Sequence, residues 1–190
     1  MRVVLTEGAS PLAVTVRQVL ASTCGDVALL DMAREACYSD ALARCQVLVH
    51  LPCLLLDGEG AGPAVELEQL DQGPRRFVSL LHAGVAQGVQ RVVCLSSLSL
   101  YARYPADCNW SEAWRPKPPA KARSLGIYMG ELALREFTRQ HRISGVCLRV
   151  DDERARHDAN YRTEIAVTCA KAVTPKAMAP YERLFACYHV

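Results

Sequence analysis

Short, mostly apolar runs alternate along this chain with longer stretches of helical periodicity. Residues 3–6, 27–31, 47–51, 91–95, 145–150 and 184–190 read as such runs. A strand that is apolar on both faces has to be covered on both faces. That is the condition of a parallel sheet with helices above and below it. Crossovers between parallel strands are right-handed, so the expected architecture is an α/β doubly wound sheet.

The intervening segments fit that scheme. Residues 11–21 read as a helix, with Ser10 as N-cap and Pro11 at its first position. A short helical turn is expected over 40–44. Residues 55–73 combine Gly58, Gly60 and Gly62 with an acidic stretch, which reads as a loop and the start of a helix. Gln72-Gly73-Pro74-Arg75 reads as the helix start itself. The helix over 75–87 carries Phe77, Leu80, Leu81 and Val85 on one face, with Gly88 as its stop. Further helices are expected over 125–141, with Leu132, Leu134 and Phe137, and over 164–173. Residues 107–123 form the one long irregular segment and contain both tryptophans. A loop of that length is usually functional or a partner surface.

The 190 residues suit one domain spanning 1–190 with a core of its own. A net charge of +2 leaves no basic footprint for nucleic acid or a membrane surface. The longest apolar run, 47–56, is broken by His50 and Pro52 and is too short to span a bilayer. None of the nine cysteines has the C-x-x-C spacing of a zinc or redox motif, so no metal is expected. They read as reduced thiols that pack as small hydrophobes, which implies a reducing, cytoplasmic location.

Four segments, in order, carry a resemblance. They are residues 3–14, the run Val47-Leu48-Val49-His50-Leu51-Pro52, the run 88–101 with its Ser96-Ser97-Leu98-Ser99-Leu100-Tyr101 end, and residues 131–149 ending in Leu148-Arg149. The chain resembles the extended short-chain dehydrogenase/reductases, in particular the NAD-dependent epimerase/dehydratase type acting on nucleotide sugars. The resemblance implies an NAD(P)-binding Rossmann fold whose C-terminal substrate lobe is missing or reduced. It implies NAD or NADP contacts from Thr6, Gly8, Ser10, Leu12, Asp31, Leu51 and Pro52, with Asp31 favouring NAD. It also implies homodimerisation through the 125–141 helix.

Departures from the family pattern are as informative. Glu7, Ser10 and Ala13 stand where the family has three glycines. Glu7 adds a Cβ and a negative charge where a tight turn meets pyrophosphate. The family's chemistry uses Ser or Thr with a Tyr-x-x-x-Lys pair, in which the cation lowers the phenol pKa. Ser97 falls on the serine position. No tyrosine has Lys four residues on, and Arg123 and Ile127 occupy the Tyr and Lys positions. Tyr128 is the nearest phenol, followed four residues later by Leu132. Two readings follow. One is an NAD(P)-binding protein with an atypical site on Ser97 and Tyr128, taking a nucleotide or small-molecule ligand. The other is a non-catalytic relative serving as a nucleotide sensor or structural subunit. His50, at a strand's C-terminal end, reads either as a general base or as a structural residue. The basic run 115–123 reads either as an anion cradle or as a solvated loop.

Overall fold

A computed structural model describes residues 1–6, 10–52, 62–105, 107–108, 111–141, 143–174 and 185–190. The strands are β1 (Arg2–Thr6), β2 (Asp26–Leu30), β3 (Val47–His50), β4 (Arg91–Ser97), β5 (Ser144–Val150) and β6 (Phe185–His189). All six pair in parallel in the order β2-β1-β3-β4-β5-β6. The doubly wound sheet expected from the apolar runs is therefore present. β1 is the strand from which the winding departs in both directions.

Helices α1 (Pro11–Cys24), α5 (Asp152–His157) and α6 (Ala159–Val173) cover one face. The short α2 (Tyr38–Ala41) with α3 (Pro63–Ala86) and α4 (Ala122–His141) covers the other. Each face has its own apolar cluster. Val16, Leu20, Ile165 and Val173 pack on Val3, Leu5 and Val146. Phe77, Leu80, Leu81, Leu134 and Phe137 pack on Val4, Leu48 and Val92. Alternate residues of the same strands thus feed opposite cores, which is why neither side of a strand tolerates polar sequence.

Local sequence explains the helix ends. Ser10 accepts a hydrogen bond from the Ala13 amide (3.1 Å), and Pro11 opens α1. Gly88 has φ +76°, the left-handed conformation that stops α3. Asp151 and Asp158 cap α5 and α6 in the same way as Ser10.

Several element boundaries differ from expectation. α3 begins at Pro63, and Pro74 lies inside it rather than at its start. Proline has no N–H to give the Leu70 carbonyl, yet the helix continues because Phe77, Leu80 and Leu81 are anchored in the core. α6 starts at Ala159, where Asp158 supplies the cap, and not at 164. The charged run after β5 folds as α5. The short helix between β2 and β3 is Tyr38–Ala41, slightly ahead of the expected 40–44. The glycine-rich part of 55–73 lies largely outside the described residues. Among the described residues, no helix is long and apolar enough to cross a membrane. Of the described cysteines, Cys45, Cys94, Cys147 and Cys169 are buried, Cys24, Cys108 and Cys187 are intermediate, and Cys37 is exposed. Burial raises the Cys45 thiol to about 11 and Cys169 to about 12.

Candidate functional site

In an open α/β sheet, ligands bind beyond the carboxyl ends of the strands where the winding reverses. Here that point lies between β1 and β3. The amides of Ala13 and Val14 are satisfied by Ser10, and Pro11 has none. Leu12 N–H is thus left as the donor at the start of α1 among the described residues, although the Leu12 side chain is buried in the core. No acidic residue occupies the first turn to oppose an anion. Gly8, together with Glu7, lies outside the described residues.

Thr6 and Leu51 close the floor of this region. Both are fully buried. The Leu51 amide donates to Thr6 Oγ1 (3.0 Å), and the same oxygen lies 3.0 Å from His50 Nδ1. The His50 ring stacks on Phe77 with centroids 4.1 Å apart. Burial drives its pKa down to about 3, so the ring is neutral at physiological pH. His50 therefore joins β1 to β3 as a buried structural link. Pro52 is half-buried beside them. Asp31 follows β2 and is exposed. Its carboxylate accepts from the Ala33 amide (2.9 Å) and lies 3.5 Å from Arg34 Nε.

Ser97 sits at the end of β4, buried, and caps the 3₁₀ turn Leu98–Tyr101 by accepting from the Ser99 amide (2.9 Å). Its hydroxyl proton goes to Asp152 Oδ1 (2.8 Å). Asp152 is held in turn by Arg123 Nη2 at 2.7 Å, with Arg156 Nη2 at 3.8 Å. Sequence reasoning placed Arg123 at the position of the missing tyrosine but gave no role to Asp152. Asp152 lies 55 residues from Ser97 along the chain, and only the pairing of β4 with β5 brings them together. Ile127, at the lysine position, is in the core. Tyr128 packs half-buried against the same core and shares no hydrogen bond with Ser97 among the described residues.

Behind Ser97, a second polar group is sealed in. Arg149 and Glu131 form a two-pronged ion pair (2.8 and 2.7 Å), and both are almost fully buried. Ser96 donates to Glu131 Oε1 (2.6 Å). Arg149 also donates to the Tyr101 hydroxyl, which donates to the Trp114 carbonyl (3.0 Å). Burial raises the Tyr101 phenol to about 12, so it stays protonated. This network ties Trp114 to the end of the sheet, and no reading of the sequence had assigned it.

No protein-family model matches the chain, and no curated protein matches it significantly. Solved structures do. A short-chain dehydrogenase/reductase superfamily protein from Agrobacterium tumefaciens, solved with bound NAD, superposes with TM-score 0.68 at 21% identity. The likeness is one of fold, the doubly wound parallel sheet. A UDP-glucose 4-epimerase from Thermus thermophilus, in complex with NAD, gives 0.66 at 20% identity. A dTDP-glucose 4,6-dehydratase from Streptomyces venezuelae gives 0.64 at 18%. Each match covers 79% of this chain and 49%, 55% and 55% of the respective structures. The chain thus spans about half the length of these solved structures.

Proposed function

We propose that this chain is an NAD(P)-binding protein of the epimerase/dehydratase type in which the catalytic position has become a fixed ion-pair latch. The dinucleotide pyrophosphate meets the start of α1 at the Leu12 amide, and Asp31 takes the ribose hydroxyls. Support for the cofactor comes from the reversal of winding at β1, and from the solved neighbours that carry NAD. The observation that carries the second half is the chain Ser97–Asp152–Arg123. A serine whose proton is committed to a carboxylate cannot donate it to a substrate oxygen. An arginine in place of tyrosine cannot relay a proton, because guanidinium does not deprotonate. Tyr128 is followed four residues on by Leu132 and not by the lysine that the family's chemistry pairs with its tyrosine. Restoring the lysine at Ile127 would bury a charge in the core. The favoured role is therefore a nucleotide sensor or structural subunit rather than a hydride-transfer enzyme.

Calorimetric and thermal-shift titrations with NAD(H) and NADP(H) test this. Binding with a rise in melting temperature is expected. Asp31→Ala removes charged hydrogen bonds to ribose and is expected to weaken NAD by roughly tenfold or more, with less effect on NADP. Absence of binding at millimolar cofactor overturns the nucleotide half. Turnover of a nucleotide sugar such as UDP-glucose by the NAD-loaded chain overturns the latch.

A further inference from the structure

Cys94, Cys147 and Cys187 stand directly opposite one another on β4, β5 and β6. Residues in register on parallel strands point to the same face, so the three side chains form a row under α4. Above that row α4 brings Glu131. The Sγ atoms of Cys147 and Cys187 and a carboxylate oxygen of Glu131 all lie within 4.8 Å of one another. We propose that this cluster binds a thiophilic divalent cation of the zinc class, held by Cys147, Cys187 and Glu131.

Four features support the assignment. Two thiolates at the usual zinc–sulfur distance of about 2.3 Å stand about 3.8 Å apart in tetrahedral geometry, so a small rotamer change closes this set on an ion. Sulfur donors select soft cations over magnesium or calcium. A carboxylate has about four acceptor sites. Ser96 and Arg149 occupy three at Glu131, leaving a lone pair on Oε2 and fixing the group as an outer shell fixes a ligand. Charge also balances. Arg149 already neutralises Glu131, so two thiolates and a divalent ion add no net buried charge. On binding, Cys147 and Cys187 each release a proton to solvent and give a sulfur lone pair to the metal; no electron is transferred. Cys187 is half-buried on the edge strand and provides the way in. This site lies in the core beneath α4, independent of the nucleotide reading.

The probe is Cd²⁺, titrated into the reduced, chelator-washed chain. A sulfur-to-metal charge-transfer absorption that saturates at one equivalent is expected, with a melting temperature raised by several degrees. Cys187→Ser should abolish both, and Cys37→Ser, an exposed cysteine outside the row, should leave both. The proposal is overturned if no band saturates at one equivalent, if the band survives in Cys187→Ser, or if Cys37→Ser removes it. Should Cys187→Ser fail to fold, X-ray absorption on the zinc-loaded native chain decides. Two sulfur neighbours support the site, and one or none overturns it.

Discussion

A neutral imidazole sealed between Thr6 and Phe77 makes stability depend on pH at a single residue. The folded pKa of His50 lies near 3, below the 6.5 of an exposed histidine. A depressed folded pKa means the stability is fully present above pH 6.5 and is lost as pH falls from there towards 3. Between pH 7 and pH 5 this residue alone should cost about 2 kcal/mol. Urea midpoints measured across that range should fall, and His50→Gln should flatten the slope. An equally steep slope in the variant would show that other groups carry it. At this scale the sequence was legible where neighbours in the chain set the outcome. Ser10 as a cap and Gly88 as a stop depend on residues within a turn of them. Asp152 was not legible, because its meaning arises only when two strand ends lie side by side.

Among the elements, α4 lies so close to β5 that one residue is confined to a hydrogen side chain. A Cβ on Gly145 would stand 2.5 Å from Thr138 Cγ2 and 3.1 Å from Leu134 Cγ. Gly145→Ala is therefore expected to destabilise the protein by about 1–3 kcal/mol, read as a lower melting temperature. Adding Thr138→Ser, which removes the methyl in the way, should recover part of the loss in a double-mutant cycle. Strict additivity would mean the contact is relieved elsewhere. Helix α3 shows why element boundaries are harder to read than element type. Glycines and Pro74 argue for a break near residue 73, but core anchors on one side of the proline keep the helix running. Strand register was also hidden: nothing in the spacing of Cys94, Cys147 and Cys187 announces that they share a row.

For the whole molecule, the sheet is a single layer shared by two cores. Removing either core strips cover from strands the other depends on, so the two should not melt separately. Unfolding is expected to be one transition, with tryptophan fluorescence and far-ultraviolet circular dichroism coinciding. Displaced curves would show that one helical layer separates first. The sheet class was readable because doubly covered strands leave an unbroken apolar signature, whereas the polar latch at Ser97 leaves none.

The reversal of winding at β1 also has a consequence for how the chain acquires its shape. β1 is made first, pairs with β2 across α1, and cannot gain its other neighbour until β3 has been synthesised. The ladders from β3 to β4, β4 to β5 and β5 to β6 each close over a long intervening helix segment. Such distant pairings slow the search for the native state. The nascent β1–α1–β2 unit, with Val4 on the face that α1 does not cover, therefore exposes apolar strand surface to wrong partners until α3 and the strands beyond it follow.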